Sequence, residues 1–200
     1  MSENFEYAKK TWDIEKKALD SLQESLSEET YDQVITLLTN HKGRTFTAGC
    51  GTSATAAKKI AHTLTCVERP TNYLNPSDAV HGALGVLQEN DILILISKGG
   101  NTNELLPLLE TALKKNVTVI GVTENELSSI GTKSTYLLNI KVPKEPDQFN
   151  MLATASTLAV IALFDAVSIR LMSTTGFTKE KFQLIHPGGA VGNRLSKELD

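Results

Sequence analysis

Residues 91–104 read Asp-Ile-Leu-Ile-Leu-Ile-Ser-Lys-Gly-Gly-Asn-Thr-Asn-Glu. Five consecutive aliphatic residues, Ile92 to Ile96, are typical of a strand that is buried on both of its faces. The glycine-rich segment that follows predicts a loop, with a helix from Glu104 to Lys115 after it. A buried strand that leads through a loop into a helix is the repeating unit of parallel α/β folds. This stretch therefore predicts an α/β protein.

The same alternation continues on both sides of the stretch. Because parallel neighbours need crossover connections, five strands separated by helices predict one parallel sheet between two layers of helices, a three-layer sandwich. Two helices precede the first strand and form a hairpin over residues 1–43, which we expect to belong to the same domain as residues 44–200. The other predicted strands are 44–48, 71–74, 117–123 and 136–142, and the other predicted helices are 3–26, 27–40, 54–67, 127–133, 154–174 and 179–184.

Composition excludes several functional classes. The chain of 200 residues is 40% hydrophobic and 22% charged, which is typical of a globular domain. Its net charge of -3 argues against nucleic-acid binding, because phosphates select a basic surface. Cys50 and Cys66 lie in no ligand spacing, so we predict neither a metal site nor a disulfide. The N-terminus lacks a basic region before an apolar run, which indicates a cytoplasmic protein.

One nearly uncharged segment, residues 151–169, is close to the length of a membrane span. Asp165 lies inside it, and an aspartate in a bilayer helix costs about 2.5–3.5 kcal/mol. A helix buried in a core or in a subunit interface has the same apolar character on all sides. We therefore predict a buried helix and no membrane partner.

Two loops have the composition of an anion site. Residues 49–53 and 97–102 each follow a predicted strand, at the sheet edge where ligands bind in open parallel sheets. Their glycines allow backbone amides to approach a phosphate closely, and the hydroxyls of Thr52 and Ser53 add donors at a helix N-terminus. Lys98 adds a positive charge to the second loop. Together the loops predict a shared phosphomonoester site.

The first loop also fits a dinucleotide-binding fingerprint, Gly49-x-Gly51-x-x-Ala54. That alternative requires an acidic residue, or an arginine for NADP, at the end of the second strand. The strand ends at Asn75 here, and the nearest acidic residue, Glu68, precedes it. The dinucleotide interpretation also leaves the hydroxyls of the second loop without a role. We therefore predict no cofactor, and an NAD(P)-dependent oxidoreductase is the rival hypothesis.

Four stretches resemble the sugar isomerase (SIS) domain family, and within it the arabinose 5-phosphate isomerases of lipopolysaccharide and capsule sugar synthesis. They are the first loop as Gly-Cys-Gly-Thr-Ser-Ala at 49–54, the second as Ser-Lys-Gly-Gly-Asn-Thr-Asn-Glu at 97–104, Asn-Pro-Ser-Asp-Ala-Val-His-Gly-Ala-Leu-Gly at 75–85, and Ile-His-Pro-Gly-Gly-Ala-Val-Gly at 185–192. The last, with its His-Pro-Gly-Gly, is the most specific. Many family members continue into a pair of CBS repeats, which this sequence of 200 residues does not contain.

The resemblance implies a flavodoxin-like five-stranded sheet and a homodimer or homotetramer with active sites between subunits. It implies an isomerase that converts an aldose phosphate into a ketose phosphate through an enediol, acting on a pentose 5-phosphate such as arabinose 5-phosphate. It also implies that Ser53, Ser97 and Thr102 hold the phosphate. Combined with the loop composition, the candidate phosphate ligands are Gly51, Thr52, Ser53, Ser97, Lys98, Gly99, Gly100 and Thr102, and the candidate catalytic residues are Glu104, Glu145, His81 and His186.

The expected chemistry assigns work to these side chains. Moving a proton between adjacent carbons requires a base, and opening a sugar ring suits a histidine. Glu104 stands where the second loop enters its helix, within reach of a sugar bound there. The family's first-loop lysine is replaced by Thr52, and we hypothesise that Lys98 supplies the missing charge. A phosphosugar-binding sensor or regulatory subunit without catalysis is the alternative function.

Overall fold

The computed structural model describes residues 2–199, and the described part contains one five-stranded parallel sheet. Helices lie on both faces of the sheet, so the predicted three-layer α/β architecture is confirmed. In chain order the elements are α1 Glu3–Ser25, α2 Glu28–Asn40, β1 Thr45–Gly49, α3 Thr52–Thr65, β2 Thr71–Tyr73, α4 Pro76–Ala79, a 3₁₀ helix Ala83–Val86, β3 Ile92–Ile96, α5 Leu106–Lys114, β4 Thr118–Thr123, α6 Ser129–Lys133, β5 Tyr136–Asn139, α7 Ala155–Thr174, α8 Lys179–Ile185 and α9 Gly189–Leu199.

The order of the strands determines where the two loops meet. The sheet runs β2-β1-β3-β4-β5, the flavodoxin-like order, with all neighbours parallel. The chain leaves β1 towards β2 on one side and leaves β3 towards β4 on the other. Gly49, the last residue of β1, pairs with Ile96, the last residue of β3. The loops after these strands therefore begin side by side at the switch point of the sheet.

The central strand β3 contributes to both cores of the sandwich. Ile92, Ile94 and Ile96 pack into the cluster formed with α2, α3 and α7, while Leu93 and Leu95 pack into the cluster formed with α5. All five side chains are at most 2% exposed. Both faces are covered, which is why the run is continuously apolar rather than alternating.

The N-terminal helices pack onto this sandwich. Ser2 and Ser27 cap α1 and α2, accepting hydrogen bonds from the amides of Phe5 and Thr30. α1 contacts α7, and α2 contacts both α7 and β5. Each hydroxyl satisfies one of the amides that a helix start leaves unpaired.

α7 is long and apolar enough to cross a membrane by length and hydropathy alone. In the structure it packs against α1, α2 and α3, and it buries Leu163, Phe164 and Val167 in the larger core cluster. The predicted helix of residues 154–174 is therefore present and packs into the core, but only 39% of its most apolar 18-residue window is buried, so the burial predicted for residues 151–169 is incomplete in one chain. Ile169 on the same helix is 67% exposed, so the fold of one chain does not cover all of its apolar surface.

The structure corrects several boundaries. α5 begins at Leu106 with Pro107 in its first turn, so Glu104 lies in a turn before the helix rather than inside it. β5 ends at Asn139, three residues before the predicted end. Two elements of four residues each, α4 and the 3₁₀ helix, were not predicted, and neither was the 11-residue helix α9, which begins at a glycine pair.

Candidate active site

The second loop, residues 97–102, has its shape fixed by internal hydrogen bonds. The Ser97 side chain is buried, and its Oγ accepts a hydrogen bond from the Gly100 amide at 3.0 Å. The Ser97 and Thr102 hydroxyls are 2.8 Å apart. Gly100 has a φ of +71°, and a Cβ there would lie 1.9 Å from the Ser128 hydroxyl. The loop therefore requires glycine at this position, and it is organised before any ligand arrives.

The first loop brings a helix N-terminus to the same edge. Gly51 adopts a φ of +57°, and a Cβ there would meet no atom within 4 Å. No described side chain caps α3, and only the amides from Ala54 onward bond back to the Gly51 carbonyl, so the amides of Thr52 and Ser53 are left for a ligand. Unpaired amides at the positive end of a helix dipole are suited to an anion. The loop therefore has the features of an anion site, and its phosphate-binding role stays a prediction.

A small cavity lies between the two loops and α7. Ser53 from the first loop and Lys98 from the second line it, together with Ser156 and Thr157 at the start of α7. Its volume of about 40 Å³ is well below the roughly 300–1,000 Å³ of pockets that enclose a small-molecule ligand. A sugar phosphate would therefore lie across the mouth of this cavity and not inside it.

Glu145 is a buried carboxylate behind the second loop. Its Oε1 accepts a hydrogen bond from Lys98 Nζ at 2.9 Å, and its Oε2 accepts the amides of Thr154 at 3.0 Å and Ser156 at 3.4 Å. The residue is 1% exposed. Burial acts to raise the pKa of Glu145, but hydrogen bonds from Ser156, Lys98 and Thr154 outweigh it and hold the pKa below its ordinary value. Glu145 is thus an ionised group that joins Lys98 to the start of α7.

A tight turn carries Glu145, and the sequence patterns did not predict it. The Asp147 carboxylate accepts the amides of Phe149, Met151 and Leu152 at 2.8–2.9 Å. Asn150 completes the turn in the left-handed region, with a φ of +58°. Asp and Asn favour such turns because their side chains bind nearby backbone amides, so the Asp-x-x-Asn spacing is a signal that could have indicated it.

Glu104 directly follows the second loop and is exposed. Burial raises the pKa of the Cys50 thiol in the first loop, and the Glu104 charge raises it further. The charge of Glu104 is therefore within electrostatic range of the first loop.

His81 follows α4 at the same edge of the sheet and is exposed. Within residues 2–199 its side chain makes no hydrogen bond to either loop, so the structure of one chain leaves it at the periphery. No group of three His, Cys, Asp or Glu side chains in these residues could hold a metal ion.

His186 lies far from the loops of its own chain. Its ring packs edge-on against Phe182 at 4.4 Å, and it lines a separate cleft with Cys66 and Met172. Ser53 and Cys66 mark the two ends of α3, roughly 20 Å apart at a rise of about 1.5 Å per residue. His186 Nδ1 is buried without a hydrogen-bond partner among the described residues. One chain therefore does not bring this predicted catalytic residue to the phosphate loops.

Comparisons with known proteins agree with this geometry. The SIS domain family model matches residues 37–170. The arabinose 5-phosphate isomerase of Pseudomonas aeruginosa is 34% identical over 203 residues, an alignment that covers 100% of this chain and 62% of the relative. The chain therefore spans less than two thirds of that relative's length.

Two solved structures share the fold over their whole lengths. A candidate sugar-phosphate isomerase from Listeria monocytogenes is 51% identical, with a TM-score of 0.91 over 94% of this chain and 100% of the other. An Escherichia coli protein in complex with arabinose 5-phosphate is 28% identical, with a TM-score of 0.88 over the same shares of the two chains. The family model covers more than half of the chain, and the chain belongs to the SIS domain family.

Proposed function

We propose that this chain is an isomerase that interconverts an aldose phosphate and a ketose phosphate, with arabinose 5-phosphate and ribulose 5-phosphate as the preferred pair. The observation that carries the proposal is the pairing of Gly49 with Ile96, which places two hydroxyl-rich glycine loops side by side at the switch point. The likeness to arabinose 5-phosphate isomerases and to a structure with bound arabinose 5-phosphate supports the choice of substrate.

The phosphate would be held by both loops. The first turn of α3 supplies outward amides and the Ser53 hydroxyl, and the second loop supplies Thr102 with the exposed amide of Gly99. The Ser97 hydroxyl holds Gly100 and Thr102 in position through hydrogen bonds. This arrangement anchors the phosphate end and leaves the sugar carbons near Glu104.

Glu104 would act as the base of the reaction. It removes the proton from C2 of the open-chain aldose while the carbonyl oxygen at C1 takes up a proton from water, which gives the enediol. The C2 hydroxyl then loses its proton to water as the proton on Glu104 returns to C1, which yields the ketose. Glu104 is exposed and follows the second loop directly, and its charge acts on the first loop, which supports this role. A carboxylate base performs this step with no metal ion or dinucleotide.

Ring opening would fall to His186 of a second copy. Its position at the far end of α3 excludes a role at the loops of its own chain without a large rearrangement. We therefore propose a homodimer or homotetramer with active sites between subunits. We also propose that the protein is cytoplasmic and has no nucleic-acid or membrane partners. The exposed apolar side chain of Ile169 on α7 supports such an assembly.

A binding and turnover experiment tests this function. We expect arabinose 5-phosphate to raise the melting temperature and to be converted into ribulose 5-phosphate, and unphosphorylated arabinose to do neither. Binding without conversion would favour a phosphosugar sensor. The observation that supports this alternative is Thr52, which replaces the family's lysine. Neither binding nor conversion with any pentose or hexose phosphate would refute the proposal.

A further inference from the structure

Lys98 lines the cavity between the two loops, and its ammonium group forms an ion pair with a buried carboxylate. Lys98 Nζ lies 2.9 Å from Glu145 Oε1; the lysine side chain is 38% exposed and the glutamate side chain 0%. One partner of this pair therefore faces solvent at the second loop while the other lies entirely inside the protein. Of the two residues in the ion pair, Lys98 lines the cavity that Ser53 also lines, and Glu145 does not.

Lys98 has hydrogen-bonding capacity left for a ligand. An ammonium carries three donors, and Glu145 takes one of them. Leaving Glu145 would strand a buried charge, which is strongly unfavourable. Lys98 therefore stays beside Glu145 when a ligand arrives and offers its remaining donors to it.

Glu145 has little capacity left for anything else. Both of its oxygens accept hydrogen bonds, from Lys98 on one side and from the amides of Thr154 and Ser156 on the other. Solvent does not reach it. A base must present a free lone pair to the proton it removes, and the acceptor site that remains on Oε1 lies inside the protein, away from solvent.

We propose that Lys98 is a direct ligand of the substrate phosphate and that Glu145 is the positioning residue that holds Lys98 there. The choice of phosphate rests on the proposed function. Glu145 acts through Lys98 and does not exchange a proton with the sugar. The same carboxylate ties Lys98 to the first turn of α7, so the cation is fixed to a rigid helix rather than to a loop alone.

The first test measures the dissociation constant for inorganic phosphate by calorimetric titration. Lys98→Met keeps the side-chain stem and removes the charge, and it should weaken binding by about 10- to 100-fold, the range for a charge-assisted hydrogen bond. Lys98→Arg should restore most of the affinity. Lys144→Met removes an equal charge from an exposed residue beside Glu145 and should leave the affinity within about twofold.

An unchanged dissociation constant in Lys98→Met overturns the role of Lys98. Equal losses in Lys98→Met and Lys144→Met overturn it too, because they would indicate a general effect of net charge. Phosphate binding does not require turnover. Failure of the isomerase assay with intact, Lys98-dependent phosphate binding therefore refutes the proposed function and leaves this inference standing.

The second test is a double-mutant cycle on the same dissociation constant. Glu145→Gln should change phosphate affinity by about threefold or more while Lys98 is present, and should have no effect in a Lys98→Met background. Equal effects in both backgrounds, or no effect in either, overturn the positioning role. Urea unfolding confirms that each variant is folded. If Glu145→Gln does not fold, Glu145→Asp, which keeps the charge and withdraws it from Lys98, replaces it in the cycle.

Discussion

At the scale of single residues, the second loop depends on Gly100. Its positive φ and the Ser128 hydroxyl leave no room for a side chain, and Ser128 cannot rotate away freely. The Ser128 Oγ donates to the Asn125 carbonyl at 2.6 Å and accepts the Gly131 amide at 3.0 Å, which caps α6. The loop and the helix next to it therefore restrain each other.

Gly100→Ala should lower the free energy of unfolding by about 1–3 kcal/mol, because it forces both a left-handed alanine and a displaced cap. The matched control is Gly99→Ala, since a Cβ at Gly99 meets nothing within 4 Å and its φ is not left-handed. Urea unfolding of the two variants measures the difference. Equal stabilities would show that Ser128 does not constrain the loop as described.

The residues of the second loop could be predicted from the sequence, but the environments of Glu145 and His186 could not. Ser97, Gly100 and Thr102 lie in a short segment whose composition already indicates an anion site, and the structure brings their hydrogen bonds together. The burial of Glu145 depends on the distant start of α7, which no local pattern encodes. The separation of His186 from the loops depends on the position of α8, whose end lies in a cleft that residues of α3 and α7 also line.

At the scale of elements, the segment between β5 and α7 is held by carboxylates. Glu145 binds amides at the start of α7, and Asp147 binds three amides of its own turn. The sequence predicted that β5 continues to Val142, because apolar residues alternate there. The strand instead ends at Asn139, and beyond it side-chain hydrogen bonds of Glu145 and Asp147 build a turn, which propensity does not report.

The Asp147 turn should depend on pH in a defined direction. Partial burial acts to raise the pKa of Asp147, but hydrogen bonds from the Leu152, Phe149 and Met151 amides hold it below its ordinary value. The turn is therefore fully stabilised above the ordinary pKa of about 3.9 and loses this contribution as the pH falls through the lower folded value.

An NMR titration of the Asp147 carboxyl measures this pKa directly. We expect a midpoint below that of an unstructured aspartate, with the Met151 and Leu152 amide shifts following the same curve. Asp147→Asn, which keeps one acceptor oxygen and loses the other, should remove the titration of those amide shifts. A midpoint at or above about 3.9 would contradict the assigned hydrogen bonds.

At the scale of the whole molecule, the sequence restricts the order of the strands but does not predict the arrangement of subunits. Alternating strands and helices with right-handed crossovers restrict a five-stranded parallel sheet to few topologies, and the observed 2-1-3-4-5 order is one of them. The position of a neighbouring copy depends on surface shape, which sequence periodicity does not describe. The separation of His186 from the loops is the structural observation that supports a shared site.

Mixing two inactive variants should restore activity if sites are shared. Glu104→Gln lacks the base and His186→Asn lacks the ring-opening group, so a mixed dimer contains one site with both residues intact. Co-refolding equal amounts should recover about a quarter of wild-type activity, since half of the dimers are mixed and half of their sites are complete. Assays before and after co-refolding measure this. No recovery from proven mixed oligomers would place both residues in a single chain's site.

In the proposed reaction, Glu104 moves a proton between sugar carbons at the two glycine loops. NMR of arabinose 5-phosphate incubated with the protein in D₂O follows this proton. We expect ribulose 5-phosphate together with deuterium at C2 of the recovered aldose, and a loss of about 10²–10⁴ in both rates for a folded Glu104→Gln. Conversion without a loss in Glu104→Gln, or no exchange at all in the unaltered protein, would contradict it.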